Sequence, residues 1–458
     1  MSTSTDTHTD HITANAQRIA ERELNRLIER TPESKALFAR ALKTMPGGVA
    51  SSFQLGDPYP IYLARGKGSE VWDVDGHQYT DFHNGFGSMA VGHGNPIIAE
   101  AVTWAANNGM HFAVTVEQTV ALAEELCRRF RCDMVRFTNS GTESNMAAIR
   151  VARAATGRDI IAKIEGSYHG GVDQLMYSVL PGADVMGGRD TPAATPKSKG
   201  VPAGMADWIR VVRFNDASAL ERLLDAEGDK IAALIMEPVM MNIGIVLPQP
   251  GYLERVRELC TKHGVVLIFD EVKCGCTIAA GGAQERFGVQ PDLASWAKSI
   301  GGGAAIGAFG GKAELMEEIN RGAAHQGTYN GNPLSVAASL ATLTKVLTPE
   351  AYVHFTAMGN RLTAGLEAAI AANDIPACVI DLGCKGCVTY RDEPLTNYRD
   401  FLETNTDLYT ASYPWMVNRD VFMTPGDEEQ WTLSVEHGPT EIDRYVDAFT
   451  EFCGELTR

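Results

Sequence analysis

Apolar residues follow two rhythms along this chain. Residues 14 to 44 carry them at helical spacing, with one break at "RTPES". There Thr31 and Pro32 have the form of an N-cap and first helical position, "SKALFARALKTM" resumes the helical pattern, and "MPGG" ends it. Next, "SEVWDVDGHQYTDF" alternates apolar and polar positions around Asp75-Gly76, which predicts a β-hairpin. The opening stretch "MSTSTDTHTDHITANAQ" is polar, lacks the apolar core of a signal peptide, and is expected to be a frayed tail.

From about residue 97 the rhythm becomes one of short apolar runs separated by amphipathic segments. "MVRFTNS", "IIAKIEG", "IAALIMEPV" and "VVLIFDEV" read as strands, and "ESNMAAIRVARAATG", "SALERLLDAEG" and "YLERVRELCTKHG" as helices. Continuous apolar strands alternating with helices predict an α/β fold with a mainly parallel sheet covered on both faces. Residues 181 to 205, with four prolines and five glycines, read as a loop or flap. Beyond "GNPLSVAASLATLTKVL" the texture changes again, with helical "LTAGLEAAIAAND", strand-like "ACVIDLGCKGCVTY" and a closing helix "PTEIDRYVDAFTEFCGEL". The expected division is a large α/β domain over 86–342 and a smaller α+β domain built from 1–85 and 343–458.

Composition narrows the class. The 458 residues, 45% hydrophobic and 21% charged, suffice for more than one domain. With 57 acidic and 40 basic residues the net charge is −17, which disfavours nucleic acid or an anionic membrane as partner. No run of about 18 apolar residues appears, so no membrane span is expected. Nine cysteines without a secretion signal suggest reduced thiols and a cytoplasmic location. Cys384 and Cys387 form a lone C-x-x-C, and Cys274 and Cys276 a C-x-C. Neither has a second pair at zinc spacing, so both predict packing and no metal site.

In open α/β sheets ligands bind at the carboxyl ends of the strands, so polar residues there are the candidates. "FTNSGTES" places Ser140, Gly141 and Thr142 between a strand and a helix start. Two hydroxyls, backbone N–H groups and a glycine suit a phosphate, although Ser and Thr are also ordinary N-caps. "IEGSYHGG" places Tyr168 and His169 after a strand, where an aromatic either stacks on a flat ligand or packs under a loop. "VVLIFDEV" ends in Asp270-Glu271, and burying that carboxylate requires a cation or strong donors. "PDLASWAKSIGGGAAIG" sets Lys298 between an apolar run and Gly301, Gly302 and Gly303. That lysine either reaches solvent before a turn or sits in a partly dry pocket, where its amine can act as a nucleophile. Together these are the parts that pyridoxal phosphate needs: a phosphate cradle, a stacking face, a carboxylate for the ring nitrogen and a lysine for the aldehyde. Neither a P-loop nor a strand–G-x-G-x-x-G–helix is present, so a nucleotide site is not expected.

The motifs "FTNSGTESNMAAIRVARAATGR", "YHG", "EPV", "FDEV", "PDL…AKSIGGG" and "HQGTYNGNPLSVAA" resemble the class III pyridoxal-phosphate aminotransferases of fold type I. The resemblance runs from about residue 42 to the C-terminus and looks closest to the glutamate-1-semialdehyde aminomutase branch. It implies a pyridoxal-phosphate-binding homodimer with active sites at the subunit interface. By motif position, Lys298 is implied to be the Schiff-base lysine and proton carrier, and Asp270 the partner of the ring nitrogen. Ser140, Gly141 and Thr142 are implied to hold the phosphate, Tyr168 and Val272 to sandwich the ring, and Asn242, near Glu237, to meet its phenolic oxygen. Thr328 is implied to reach the neighbouring subunit's cofactor phosphate. One position departs: where the aminomutases carry an arginine for the substrate carboxylate, this chain has Gln54 in "PGGVASSFQ". An amide cannot replace that bidentate ion pair. The expected activity is ping-pong transamination between an amine or amino acid donor and a keto acid, ketone or aldehyde, favouring donors whose amine is not alpha to a carboxylate. The alternatives are glutamate-1-semialdehyde 2,1-aminomutase or another aminomutase or lyase, and a non-catalytic scaffold, against which Lys298 and Asp270 both speak. Phe53, Gln54, Phe86, Met240 and Trp431 are the candidate substrate-lining positions.

Overall fold

The computed structural model describes residues 3–426 and 430–458. Its first element corrects an expectation. From Thr3 on, the opening stretch is no tail but part of a helix, Thr3–Arg30, and the first two residues of the expected tail lie outside those described. Ile12, Ala16 and Ile19 fall four and three residues apart, line one face, and are fully buried where this helix packs on helix Thr406–Val417. Nδ2 of Asn15 donates to the carbonyl of Leu456 at 2.8 Å, tying the helix to the C-terminus. The expected break is present, with helix Pro32–Ala41 starting after Thr31. Thr31 caps by position only, because its hydroxyl donates back to Leu27 O at 2.7 Å.

Strands β1 (Leu63–Lys67), β2 (Glu70–Asp73) and β3 (Gln78–Asp81) follow as an antiparallel meander. The β2–β3 hairpin turns at Asp75-Gly76 and sets Val71 opposite Tyr79.

The central sheet has seven strands: β4 (Met134–Thr138), β5 (Ile160–Ile164), β6 (Ile209–Val212), β7 (Ile231–Met236), β8 (Val266–Asp270), β9 (Leu293–Trp296) and β10 (Gly307–Gly311). Their order is β4-β10-β9-β8-β7-β5-β6. β10 runs antiparallel to both its neighbours, and every other adjacent pair is parallel. Strand alternation splits the core between two faces. Ile235 and Ile268 join Ala148, Ile149 and Ala152 of helix Gly141–Thr156 on one side. Leu234, Met236, Leu267 and Phe269 join Leu126 and Phe130 of helix Glu117–Phe130 on the other. A sheet covered on both faces needs apolar residues at every position, which is why these strands read as unbroken runs.

Later segments add β11 (Cys378–Asp381), β12 (Lys385–Thr389), β13 (Val421–Phe422) and β14 (Gln430–Thr432). β11, β12 and β14 form a small antiparallel sheet, while β13 pairs in parallel with β3, so residues near both chain ends share one sheet. Residues 181–205 lie almost wholly outside helices and strands. They are held down by Nη2 of Arg399, which donates to the carbonyls of Gly187 and Gly188, and by Tyr398, whose hydroxyl donates to Pro181 O at 2.7 Å. Cys384 and Cys387 are both buried, but in different core clusters, and the Cys384 thiol donates to Leu433 O. Among the described residues, no helix is long and apolar enough to cross a membrane.

Candidate active site

Because β10 alone reverses, the carboxyl ends of β4, β5, β7, β8 and β9 leave the sheet at one edge. A cavity of about 420 Å³ opens there. Ser140, Gly141, Thr142, Tyr168, Glu237, Asn242, Asp270, Val272 and Lys298, nine of the ten expected cofactor contacts, all line it.

One end of the cavity is the start of helix Gly141–Thr156. The first amides of a helix have no intrahelical acceptor and carry the positive end of its dipole. Ser140 is the N-cap, accepting from Glu143 N at 3.3 Å, and the Thr142 hydroxyl accepts from Gly171 N at 3.2 Å. Any Cβ at Gly141 would stand 2.6 Å from Val272, so only glycine lets this turn and Val272 face the same space. The cradle fits a phosphate.

Further in, Asp270 at the end of β8 is 4% exposed. Its Oδ1 accepts from Val272 N at 3.0 Å, and its Oδ2 from Nδ2 of Asn145 at 2.7 Å. Nδ1 of His169 lies 2.7 Å from the same Oδ2 and therefore carries the proton. Asn145 is itself fixed by the Ser295 hydroxyl and by its own bond to His169 O. A buried carboxylate held this firmly is ready for a cationic N–H donor in the cavity, and a protonated pyridine nitrogen fits that need.

Lys298 lies two residues beyond β9, the parallel neighbour of β8, so its amine and the Asp270 carboxylate approach one space from adjacent strands. Its φ is +51°, a left-handed conformation unusual for a side chain of this size. The glycines after it are required by close packing. A Cβ at Gly302, φ +54°, would collide with Thr342, and one at Gly303 would stand 2.8 Å from the Met89 sulfur.

The cavity wall opposite is aromatic. The Tyr168 ring lies 5.2 Å from Phe53, which lies 5.9 Å from Phe86. Burial, and then the Asp270 charge, push the Tyr168 phenol above its usual range. Glu237 accepts from Asn242 Nδ2 and Met241 N, both at 3.0 Å, and burial raises its carboxyl.

Three of the expected substrate positions lie elsewhere. Met240 is 1% exposed and packs into the core, in a backbone bridge with Val246. Trp431 is fully buried, its indole pressed on Gly386 and its ring 6.2 Å from Tyr445. Alternation along β14 sends Trp431 inward and gives the neighbouring Gln430 the contact with Met241 O, at 2.6 Å. Gln54 is exposed in a short turn and does not line the cavity, while Phe53 beside it does. Thr328 is exposed on its loop and lies outside this cavity.

Sequence reasoning missed Asn145, the Asp270-facing role of His169, and two lysines. Lys273 lines the cavity and donates to Met241 O and, at 3.3 Å, to Oδ1 of Asn242. Lys385 is buried behind Gly87, and burial with the Lys273 and Lys298 charges pushes its amine down to about 7. Charged residues set directly after strand or turn signals, as in "FDEVKC" and "GCKGC", were the available clue.

The class-III aminotransferase family matches this chain over residues 53–404. A glutamate-1-semialdehyde 2,1-aminomutase of Sorangium cellulosum is 40% identical over 429 residues, covering 92% of this chain and 96% of its own. The crystal structure of an omega-transaminase from Sphaerobacter thermophilus superposes with a TM-score of 0.87 at 36% identity, over 92% of this chain and 97% of that one. A β-phenylalanine aminotransferase from Variovorax paradoxus does so at 0.86 and 31%, over 96% and 97%. Fold, cavity and likeness agree: the chain belongs to the class-III aminotransferases, pyridoxal-phosphate-dependent enzymes of fold type I.

Proposed function

We propose that this enzyme is a transaminase that moves an amino group from an amine or amino acid to a keto acid, ketone or aldehyde in two half-reactions. The meeting of Lys298, Asp270 and the Ser140–Thr142 turn in one cavity carries this reading. Pyridoxal phosphate supplies an electrophilic carbonyl and an electron-accepting ring. Ser140, Gly141 and Thr142 would hold its phosphate. Tyr168 and Val272 would hold the ring, and Asn242, fixed by Glu237, would meet its phenolic oxygen. Asp270, held by Asn145 and His169, would keep a proton on the ring nitrogen. Lys298 would hold the carbonyl, and its Nζ, at the same edge of the cavity, is the group that would take and return the proton of the substrate.

Two observations favour transfer between two molecules. Gln54 stands where the aminomutase branch has its carboxylate arginine, and an omega-transaminase structure is 36% identical. Donors whose amine is not alpha to a carboxylate are the favoured class. The second reading, an aminomutase acting within one molecule, draws support from the 40% identity to the Sorangium cellulosum protein.

We also infer a homodimer in which Thr328 reaches the cofactor phosphate of the neighbouring subunit. Trp104, Met110, Phe112, Val114 and Tyr329 are all more than half exposed, a patch of the kind that a partner covers. It joins the loop after helix Pro96–Asn108 to the loop that carries Thr328.

The deciding experiment follows the near-visible absorption band of the lysine-linked cofactor. A transaminase loses that band with a simple aryl-alkyl amine and regains it with a keto acid. If only a diaminopentanoate perturbs the band, the aminomutase reading replaces this one.

A further inference from the structure

Two cysteines outside the active site meet at one helix end. Helix Glu117–Phe130 closes on Arg131, whose left-handed φ of +50° turns the chain back on itself. The amides of Arg131 and Cys132 then both donate to the carbonyl of Cys127, the second at 3.1 Å. This is the six-residue helix ending in which the first and last side chains pack together. Here both are cysteines. Standard bond lengths keep the two Cα atoms within about 7 Å even along a straight path, and the bend of the turn brings them into the range of about 4.4–6.8 Å that a disulfide spans. The thiols already touch, the Cys132 thiol donating to the Cys127 sulfur.

Their surroundings differ. Cys127 lines a surface cavity of about 410 Å³ together with Glu124, Met134 and Arg136. Cys132 packs inward against the main core. The hydrogen bond from Cys132 holds the Cys127 thiol below its usual range, while that bond and burial push the Cys132 thiol up. The thiolate is the attacking form, so the outer sulfur reacts first. Of the remaining seven cysteines six are buried, so a dissolved oxidant meets few other sulfurs.

We propose that Cys127 and Cys132 are a reversible redox pair, in which Cys127 takes the oxidant and Cys132 closes the disulfide.

The Cys127 thiolate attacks one sulfur of a small disulfide such as oxidised glutathione, forming a mixed disulfide and releasing a glutathione thiolate. The Cys132 sulfur, its proton passed to water, attacks the Cys127 sulfur and expels the second glutathione. Two protein thiols are thereby oxidised by two electrons, and one glutathione disulfide is reduced to two thiols, which take up the two protons. The closed turn backs the active site. Phe130 stacks at 4.5 Å on Trp296, two residues before Lys298, and the chain beyond Cys132 runs through β4 to the phosphate cradle.

The test places holoenzyme in glutathione buffers stepped from fully reduced to fully oxidised. After acid quenching and denaturation, thiols are counted and linkages mapped by mass. Wild type is expected to lose two of its nine thiols and to regain both with dithiothreitol. Arg128, Arg129 and Arg131 separate the pair, so after trypsin only the disulfide joins residues 68–128 to residues 132–136. C132S is expected to stop with one glutathione on Cys127, and C127S to form neither a linkage nor an adduct at Cys132. A count that stays at nine in oxidised glutathione overturns the proposal, as does a linkage through any other cysteine. It is also overturned if wild type stops at a glutathione adduct, which removes Cys132 as the closing thiol. An adduct on Cys132 in C127S overturns it as well, by removing Cys127 as the point of entry.

Discussion

Oδ2 of Asp270 accepts from two side chains at once, Nδ2 of Asn145 and Nδ1 of His169, each at 2.7 Å. The second pairing matters most, because it places a titratable ring against the carboxylate expected to face the cofactor nitrogen. The other ring nitrogen of His169 is buried without a hydrogen-bond partner among the described residues. His169 is thus spent on orienting Asp270.

Two substitutions separate these roles. D270N keeps the shape and loses the charge, so both half-reactions should slow by roughly 10²-fold or more while the cofactor still binds. H169F leaves the charge but removes one of its donors. It should cost about 1–3 kcal/mol of stability, with a smaller loss of rate. Stopped-flow absorbance and urea unfolding measure the two effects. If H169F proves as slow as D270N, then His169 does more than position the carboxylate.

Lys298 lies at φ +51°, which for a non-glycine residue stores backbone strain of about 1–2 kcal/mol. K298A and K298G should both lack the band of the lysine-linked cofactor and all turnover. The strain predicts a further difference in the cofactor-free proteins, where K298G should be more stable than K298A by about 1 kcal/mol. That reverses the usual order of these residues, and matched urea midpoints would decide against the strain if alanine proved the better substitute.

The central sheet was legible because a sheet buried on both faces leaves no polar positions in its strands. Asp270 and Lys298 stood out for the same reason, as charged residues at the ends of apolar runs. What failed to show was direction. Met240 and Trp431 have the size and chemistry of pocket residues, yet bridge pairing and strand alternation turn them into the core. The N-terminal helix was hidden because Ile12, Ala16 and Ile19 are a thin apolar stripe in polar surroundings, whose partner, helix Thr406–Val417, lies almost four hundred residues away. His169 stood beside Tyr168 without a role, since nothing local says which strand end an imidazole faces.

Lys385 gives a pH dependence with a defined sign. Burial first, then Lys273 and Lys298, hold its amine at about 7 in the fold, while Cys384 and Cys274 oppose them weakly. In the unfolded chain a lysine titrates near about 10.4. Between those values the unfolded state binds more protons, so stability rises with pH. The penalty for burying Lys385 is therefore full below about pH 7 and fades toward about pH 10. K385M should gain most over wild type near about pH 6, and its advantage should shrink by up to about 1.4 kcal/mol per pH unit across that window. Lys163 is also pushed down to about 7, but it is present in both proteins and cancels from the difference. A constant advantage from acid to alkaline pH would mean that Lys385 is charged in the fold throughout.

The patch around Trp104 makes the proposed dimer testable together with Thr328. The rings of His111 and Tyr329 lie 4.9 Å apart, and Nδ2 of Asn332 donates to Met110 O at 3.2 Å, so the two exposed loops form one surface. Charges placed at its centre, as F112E with Y329E, should yield monomers by sedimentation, because a carboxylate buried without a partner is strongly unfavourable. Those monomers should also hold pyridoxal phosphate less tightly, since in the proposed dimer each takes a Thr328 contact from its neighbour. T328A separates the two effects: it should remain dimeric while cofactor affinity falls by about tenfold, the loss of one hydrogen bond to a phosphate. If the charged variants stay dimeric, the patch is not the interface. Cofactor binding by T328A that matches wild type would remove the reason for Thr328 to sit beside Tyr329 on the exposed face.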